Sequence, residues 1–469
     1  MRVSRRDALT TTGVMFAGLA GLNLFDREPI YADGDGFGYG PLKEDPENII
    51  DLPHGFSYHM FSKTGEWMDD DLRVPGAHDG MATFPGPRGT TLLVRNHELS
   101  PVEIEASSLR GDSQLLSRLP KEKFYDFGQG KRPAAGGTTT LVYDTSKREL
   151  TRHFTSLVGT TRNCSGGPTP WRSWLTCEET VDRKADLVEQ DHGYIFEVPA
   201  TTRPELAEPI AYKAMGRFNH EAVAVDSRTG IVYLTEDRDD GLLYRFLPVR
   251  PGRLGEGGKL QCLVLGGDLG INTRNWPEEG WFPVHQTVAV KWIDVENVES
   301  PDDDLRQQGN SKGAARFARG EGIWYDSGTI YFACTSGGPN KKGQIFRYVP
   351  SEQEGQTGEN KNPGSLTLFC QPNDSGLLQM ADNLTVAPWG DVIICEDGGP
   401  VNHLVGVTGE GKLYRFARNT MNDSEFAGSC FSPDGTTLFV NIQKPGITLA
   451  ITGPWHLLER NDQPQPPSA

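Results

Sequence analysis

The stretch GQIFRY at residues 343–348 decides the fold, because related stretches recur along the chain. These are GYIFEV at 193–198, GLLYRF at 241–246 and GKLYRF at 411–416. Each one opens with glycine and continues with apolar and aromatic residues, a pattern typical of a short β-strand that follows a turn. The four stretches predict a recurring structural unit that ends in such a strand.

A β-hairpin precedes three of these stretches. The paired strands are EAVAVD and IVYLTE (221–226 and 231–236), EGIWYD and TIYFAC (321–326 and 329–334), and DNLTVA and DVIICE (382–387 and 391–396). Short strands, glycine turns and a unit of several dozen residues predict an all-β fold, a β-propeller in which each unit is one four-stranded blade. We expect six blades, with five or seven as alternatives. A β-sandwich or a two-domain chain is the competing interpretation.

The beginning of the chain resembles a twin-arginine export signal. Ser4, Arg5 and Arg6 precede a weakly apolar run and a small residue, Ala32, so we predict a signal peptide over residues 1–32. The mature protein would be periplasmic or secreted, and the twin-arginine export machinery would be its transport partner. Residues 33–469 are predicted to form a single propeller domain with an insertion at about 250–318.

Charge and hydropathy exclude several partner classes. The net charge of −17 over 469 residues argues against nucleic acid or an anionic membrane as the main partner. After the signal peptide, no run approaches the roughly 18 apolar residues of a membrane span, so we expect no stable membrane insertion. We expect a monomer.

The repeat separates one cysteine from the others. Cys177, Cys334 and Cys395 are predicted to share one slot near the end of a second strand, where Thr235 stands in another copy. A slot filled by cysteine or threonine among apolar neighbours indicates core packing. Cys164 instead lies in the glycine-rich stretch TRNCSGGPTPW at 161–171, outside the repeat. It is a candidate metal ligand, with a disulfide as the alternative.

Acidic residues recur where the predicted hairpins open. The start of the first strand and the end of the second lie on the same rim of an antiparallel hairpin. These positions hold Glu221, Glu321 and Asp382 at first-strand starts, and Glu178 or Glu179, Glu236 and Glu396 at second-strand ends. Asn96 and Glu98, in RNHEL at 95–99, would join the same rim.

Such a ring of carboxylates predicts bound metal. Crowded like charges repel one another and raise one another's pKa, which is costly unless cations lie among them. Oxygen ligands favour calcium or trivalent iron, and a Cys164 thiolate would favour a transition metal. Arg319 lies two residues before Glu321, and its planar guanidinium suits a phosphate group. The alternative for Arg319 is a salt bridge to the ring itself, and Arg162 and Arg217 are weaker candidates.

Together these features resemble the PhoX-type alkaline phosphatases. The segments that carry the resemblance are the leader, NCSGGPTPW at 163–171, TCEE at 176–179, NHE at 219–221, RGE at 319–321, DNL at 382–384 and FSPDG at 431–435. The resemblance implies an exported propeller phosphomonoesterase that uses Fe³⁺ and Ca²⁺ and acts on small phosphorylated substrates.

The same resemblance implies roles for individual residues. Cys164, Glu221 and Glu321 would ligate iron, and Glu179, Asp382 and Asn96 would ligate calcium. Arg319 would bind the substrate phosphate and, with Glu321 and Glu221, would carry the catalysis. A calcium-dependent propeller hydrolase of lactones or other phosphoesters, and a non-catalytic propeller that binds a protein or a glycan, are the alternatives. Neither of them needs Cys164.

Overall fold

The computed structural model describes residues 37–184, 187–266, 270–372 and 376–457. The predicted signal peptide, residues 1–32, lies outside these ranges. Two short α-helices, α1 (Ser113–Leu116) and α2 (Leu305–Ser311), accompany the strands of the described part. No helix within these ranges is long and apolar enough to cross a membrane.

The strands follow one another in short antiparallel runs. In the first part of the chain they are β1 (Leu42–Lys43), β2 (Ile50–Pro53), β3 (Ser57–Lys63), β4 (His78–Pro85), β5 (Thr90–His97), β6 (Gly136–Asp144), β7 (Glu149–Thr160), β8 (Asn163–Pro168), β9 (Ser173–Glu178), β10 (Ile195–Pro199), β11 (His220–Val225), β12 (Val232–Glu236) and β13 (Leu243–Pro248). In the second part they are β14 (Gly258–Leu265), β15 (Thr287–Asp294), β16 (Gly320–Asp326), β17 (Thr329–Cys334), β18 (Gln344–Val349), β19 (Ser365–Cys370), β20 (Ala381–Val386), β21 (Val392–Glu396), β22 (His403–Val407), β23 (Leu413–Asn419), β24 (Phe426–Phe431), β25 (Thr437–Ile442) and β26 (Ile447–Thr452).

Within the described residues these strands form six blades around a central channel. In order, the blades are β4 to β7, β8 to β10, β11 to β14, β16 to β19, β20 to β23, and β24 to β26 with β3. The innermost strand of each blade contacts the innermost strands of both neighbours, and β24 contacts β4, so the ring is closed. The prediction of an all-β propeller is confirmed.

The beginning of the described chain closes the ring. Strand β3 pairs with β26, with Ser57 opposite Thr452 and Lys63 opposite Ile447. Strand β2 pairs with β23 and so extends the fifth blade. The sixth blade therefore contains strands from both ends of the described chain, which ties the termini of the propeller together.

The predicted insertion at 250–318 contains one strand of a blade and a segment that connects two blades. It contains β14, which is the fourth strand of the third blade. The additional segment begins after Leu265, and its strand β15 pairs with both β14 and β19. This pairing joins the third and fourth blades into one nine-stranded sheet.

Two details of the predicted repeat are wrong. The stretch GKLYRF at 411–416 belongs to β23, the fourth strand of its blade, because β22 intervenes, whereas the related stretches belong to third strands. Cys334 pairs with Gly320 as Glu236 pairs with His220, so Cys334 corresponds to Glu236 rather than to Thr235. Cys177, Cys334 and Cys395 are nevertheless all buried.

Apolar side chains fill the space between neighbouring blades. Phe332 and Phe346 of the fourth blade stack with ring centroids 5.1 Å apart. The same buried cluster contains Tyr233 and Leu263 of the third blade. Each fully buried side chain of this size contributes roughly 2–3 kcal/mol to folding, so these contacts hold the blades in fixed positions around the channel.

Candidate metal centre

A β-bulge at the start of each inner strand changes the direction of its second residue. The pairing of β11 with β12 shifts register between His220 and Val223, and the pairing of β16 with β17 shifts between Gly320 and Ile323. The other four inner strands show the same shift near their first residues. A bulge breaks the alternation of side chains and re-aims one of them. The second residues of five inner strands are Asp79, Cys164, Glu221, Glu321 and Asp382.

The sixth inner strand carries glycine at the equivalent position. Gly428 lies in the bulge of β24 with a φ of 63°, in the left-handed region that favours glycine. A Cβ atom there would lie 2.4 Å from the backbone oxygen of Asp79. The sixth blade therefore cannot supply a side chain from its bulge, and it contributes Glu425 and Gln443 from flanking positions instead.

All of these side chains surround one cavity of about 170 Å³ at the end of the channel. Its lining residues are Asp79, Glu98, Arg162, Cys164, Glu179, Glu221, Asp237, Arg319, Glu321, Asp382, Asp397, Glu425 and Gln443. Nine carboxylates and one thiol thus face two guanidinium groups. The cavity brings together Cys164, Glu179, Glu221, Glu321, Asp382, Glu98 and Arg319 from the sequence prediction.

Three predicted ligands at second-strand ends lie outside this cavity. Glu178, Glu236 and Glu396 are buried, and each accepts hydrogen bonds from nearby backbone N–H groups. The donors are Gly193 N at 2.9 Å for Glu178, Leu242 N at 3.2 Å for Glu236, and Gln379 N at 2.7 Å and His403 N at 2.8 Å for Glu396. These carboxylates hold loops in place and do not line the cavity, which is lined instead by the residues that follow them. Those residues are Glu179, Asp237 and Asp397.

Glu178 also takes part in a buried ionic cluster behind the cavity. His192 Nδ1 lies 2.7 Å from Glu178 Oε1, and His192 Nε2 lies 3.3 Å from Asp126 Oδ2. Burial lowers the pKa of His192, but Glu178 and Asp126 outweigh it and raise the pKa to about 10. At neutral pH the imidazolium therefore compensates the charge of Glu178.

Asn96, predicted as a calcium ligand, lies outside the cavity as well. Its Nδ2 donates to the backbone oxygen of Ser165 at 2.7 Å, and its Oδ1 accepts from Trp174 Nε1 at 2.8 Å. Both functional atoms are thus engaged in the protein. Because Ser165 follows Cys164 in the chain, Asn96 fixes the backbone beside the thiol.

The ligand atoms of the cavity form four overlapping groups. Within each group the atoms lie within 4.8 Å of one another, and the groups are Cys164, Glu179 and Glu221; Glu221, Glu321 and Asp382; Asp382, Asp397 and Glu425; and Asp79, Glu98 and Glu425. Glu221, Asp382 and Glu425 each belong to two groups. A carboxylate has two oxygens, so a shared carboxylate can contact two cations.

The charges of these residues are poorly compensated by the protein. Burial raises the pKa of Glu221 and Glu321 well above its usual value, and neighbouring carboxylates raise it further. Burial also raises the pKa of Asp382 to about 6. A buried carboxylate that lacks compensation costs free energy. The donor set, oxygens with one sulfur, therefore fits hard multivalent cations together with one cation that accepts a thiolate.

Cys164 is the one cysteine of the described chain that lines the cavity. Burial raises the pKa of its thiol well above the usual value, and Glu221 adds to the shift, as they do for the neighbouring Cys177. The thiol donates to the backbone oxygens of His220 and Glu221, both at 3.4 Å. All seven cysteines are free, so the alternative of a disulfide is excluded. A cation beside Sγ would be needed to keep this sulfur as a thiolate.

Two arginines at equivalent positions of the repeat reach the cavity. Arg319 Nε and Nη2 donate to Asp237 at 2.6 Å and 2.9 Å, and Nη2 also donates to Glu321 Oε1 at 2.7 Å. Arg162 donates to Glu98 Oε1 at 2.8 Å and to Glu179. The two arginine side chains remain 31% and 39% exposed, respectively, so both can meet a ligand from solvent.

Arg217, the third candidate, lies elsewhere. Its Nη1 donates to the backbone oxygen of Ser300 at 3.1 Å, and its Nη2 donates to that of Asp182 at 3.1 Å. It is buried among these loops and does not line the cavity.

Sequence reasoning missed five cavity residues. They are Asp79, Asp237, Asp397, Glu425 and Gln443. Asp79 could have been found, because the pair HD at 78–79 matches HE at 220–221 in the repeat. Asp237 and Asp397 directly follow Glu236 and Glu396, which are two of the predicted ligands. Glu425 and Gln443 flank β24 and β25, where the copy of the repeat is only partial, so the sequence carries a weaker signal for them.

Comparisons with known proteins agree with this architecture. The structure of Pseudomonas fluorescens PhoX in complex with vanadate, a transition state analogue, aligns with a TM-score of 0.65 at 17% identity, covering 89% of this chain and 98% of that one. A gluconolactonase from Xanthomonas campestris aligns with a TM-score of 0.38 at 12% identity, covering 88% and 98% of the two chains, which is too distant to support an argument. No curated protein sequence matches significantly.

The amino-acid sequence assigns the chain to a family. The family described as alkaline phosphatase PhoX matches residues 37–446, which is most of the chain. This range contains the bulges, the cavity acids and both arginines of the cavity. The resemblance seen in the sequence is confirmed: the chain belongs to the PhoX family of alkaline phosphatases and is a phosphoric monoester hydrolase.

Proposed function

We propose that this protein hydrolyses small phosphate monoesters outside the cytoplasm with Fe³⁺ and Ca²⁺ as cofactors. The observation that carries the proposal is the cavity lined by Cys164, nine carboxylates and two arginines. The alternatives, a calcium-dependent hydrolase and a binding propeller, have no use for the thiol.

The donor types assign the metals to different parts of the cavity. Cys164, Glu179 and Glu221 would hold iron, because a thiolate favours a transition metal, and Glu321 would join them through the group that it shares with Glu221. The groups made only of oxygen donors suit calcium. Their members are Asp79, Glu98, Asp382, Asp397 and Glu425.

When bound, the metal ions would polarise the phosphoryl oxygens and lower the pKa of a water that attacks phosphorus. Arg319 supplies the protein's own part of the chemistry. Its fork pairs with Asp237 and also with Glu321, which is the salt bridge that the sequence left as the alternative. A phosphoryl group would share or replace these contacts, and its two oxygens match the fork as the carboxylate oxygens of Asp237 do. Its fixed positive charge would stabilise the negative charge that develops on those oxygens.

Other residues keep the ligands in position. Asn96 fixes the backbone next to Cys164 through Ser165. Glu178 binds Gly193 N and His192, so the end of β9 is fixed where Glu179 enters the cavity. Ligands held by such contacts need little reorganisation when a cation binds.

The predicted twin-arginine signal supports the location. The export route associated with such signals carries folded proteins, which suits an enzyme whose metals are inserted before transport. Periplasmic or secreted localisation is therefore part of the proposal.

Hydrolysis of p-nitrophenyl phosphate tests the site assignment. We expect Arg319→Ala and Glu321→Ala each to lower kcat/KM at least about 100-fold, because each removes a charged contact in the cavity. Circular dichroism should stay unchanged. The matched controls are Arg250→Ala and Glu256→Ala, which remove an exposed ion pair away from the cavity and should leave turnover intact. Undiminished turnover in both cavity variants would contradict the assignment.

A further inference from the structure

Arg162 occupies the same position of the repeat as Arg319. Each lies two residues before the side chain that enters the cavity from a bulge, and each has a left-handed backbone, with φ of 44° and 55°. The backbone contacts match as well, since Arg162 O accepts from Glu179 N at 2.9 Å and Arg319 O accepts from Thr335 N at 3.0 Å. A residue other than glycine is strained in this conformation, and such strain is typical of functional sites.

The guanidinium group of Arg162 keeps one nitrogen for a ligand. Its Nε donates to the backbone oxygen of Glu179 at 3.0 Å, and its Nη2 contacts the carboxylates of Glu179 and Glu98. Arg319 divides its nitrogens in the same way, because Nε and Nη2 bind its carboxylate partners. Among the residues that the structure describes, Nη1 of neither arginine makes a hydrogen bond. Each guanidinium therefore retains two N–H groups that the protein does not use.

An arginine with a purely structural role looks different in this protein. All three guanidinium nitrogens of Arg245 donate to side chains, and the acceptors are Gln261, Glu354 and Glu359. The side chain of Arg245 is 2% exposed, compared with 39% for Arg162. An arginine that only compensated neighbouring carboxylates would resemble Arg245. Arg162 instead leaves an unused nitrogen and an accessible surface at the cavity.

The cavity is small enough to bring one ligand to both arginines. Arg162 and Arg319 line the same cavity of about 170 Å³. Ligand pockets usually measure roughly 300–1,000 Å³, so this one suits a compact group such as a phosphoryl group. The two arginines come from the second and fourth blades and approach the cavity from different directions.

We infer that Arg162 is a second substrate-binding residue, which donates through Nη1 to the same phosphoryl group as Arg319 but from another direction. The inference rests on the proposed function. A phosphate monoester carries about two negative charges above neutral pH, so it can use two guanidinium groups besides the metal ions. In the transition state the charge spreads over three phosphoryl oxygens, and two arginines that approach from different sides stabilise more of it than one.

Two variants of Arg162 test this inference, with p-nitrophenyl phosphate as the substrate and inorganic phosphate as the competitive inhibitor. In Arg162→Gln we expect kcat/KM to fall at least about 100-fold and the inhibition constant of phosphate to rise at least about tenfold, because a charge-assisted contact to the phosphoryl group is lost. Arg162→Lys should recover part of both effects, since lysine keeps the charge without the fork. Iron and calcium content should stay at the wild-type level in both variants.

Arg172→Gln is the matched control. Arg172 also has a left-handed backbone, with a φ of 68°, but it is exposed and does not line the cavity. Its Nη2 donates to the backbone oxygen of Pro85. The control therefore replaces an arginine by glutamine in the same backbone conformation, and it should keep the wild-type kinetic and inhibition constants.

An unchanged inhibition constant for phosphate in Arg162→Gln would overturn the inference. A loss of iron or calcium that accounts for the lost activity would also overturn it, because Arg162 would then only hold the carboxylates for the metals. Both results leave the proposed function intact, since the wild type would still hydrolyse the ester. If the metal-loaded wild type hydrolysed no p-nitrophenyl phosphate, the proposed function and the inference would both fall.

Discussion

Glu178 and Glu179 are neighbours in the chain, yet their side chains lie in different environments. Glu178 is completely buried and surrounded by donors, with Gly193 N at 2.9 Å and His192 Nδ1 at 2.7 Å. Glu179 points into the cavity, where burial raises its pKa well above the usual value and the partial compensation by Arg162 does not reverse this. One acid is satisfied by the protein, and the other is left for a cation.

The alternation in position recurs in two other blades, although Glu236 is less well satisfied than Glu178: one of its oxygens lacks a hydrogen-bond partner, and burial raises its pKa to about 7. Glu236 and Glu396 bind backbone N–H groups, whereas the following residues, Asp237 and Asp397, line the cavity. Successive residues of a strand point to opposite sides. Burial alone therefore does not identify a metal ligand in this fold. The position of the side chain relative to the cavity is the better indicator.

The largest effect on activity is expected when Glu179, which lines the cavity, is substituted. Glu179→Gln removes a ligand from the group of Cys164 and Glu221, so kcat/KM for p-nitrophenyl phosphate should fall at least about 100-fold. The free energy of unfolding of the metal-free protein at neutral pH should not fall and is expected to rise, because glutamine removes a buried charge that Arg162 compensates only in part. Steady-state kinetics and urea unfolding measure the two quantities.

Substitution of Glu178 should lower stability and leave activity nearly unchanged. Glu178→Gln leaves the protonated His192 with one carboxylate fewer in a buried site, so the free energy of unfolding should fall by about 3–5 kcal/mol. Activity per bound iron should stay close to that of wild type in the protein that remains folded. If Glu178→Gln abolished activity at full stability, or Glu179→Gln kept it, the distinction between the two acids would be refuted.

The pH dependence of the metal-free protein sharpens the contrast. The pKa of Asp382 is about 6 in the folded state and 3.8 for an ordinary aspartate. The folded protein therefore binds more protons than the unfolded chain between these values, and stability is present below about pH 4 and lost as the pH rises through 6. For Asp382 alone the loss is on the order of 3 kcal/mol.

Thermal melts with and without a chelator measure this effect. The melting temperature of the chelated protein should fall as the pH rises from 4 to 7. The metal-loaded protein should not show the fall, because metal ligands are already ionised. A chelated protein whose melting temperature rises over this range would show that the cavity acids are compensated by the protein itself.

The sequence predicted the propeller because each blade is built from local hairpins. It predicted Glu221, Glu321 and Asp382 because those residues recur at one position of the repeat. It placed Glu236 and Glu396 in the cavity wrongly, since the bulges and the alternation at strand ends decide which of two adjacent acids turns inward. No composition signal marks a bulge in advance.

The rest of the site lies in the first and sixth blades, whose copies of the repeat are degenerate. Glu425 precedes β24 and Gln443 follows β25, and the pairing of these two strands brings both residues to the cavity. Asp79 was missed because the first blade departs most from the repeat. Strand β4 starts with the same kind of bulge as β11, and Asp79 in this bulge lines the cavity.

Elemental analysis and an absorbance scan of wild type and Cys164→Ser, both purified through the native export route, test whether Cys164 holds iron in the cavity. We expect iron and calcium in wild type, with a visible charge-transfer band from the ferric thiolate. In Cys164→Ser we expect loss of the band and most of the activity. Calcium without iron in wild type, together with full phosphatase activity in Cys164→Ser, would contradict this role of Cys164.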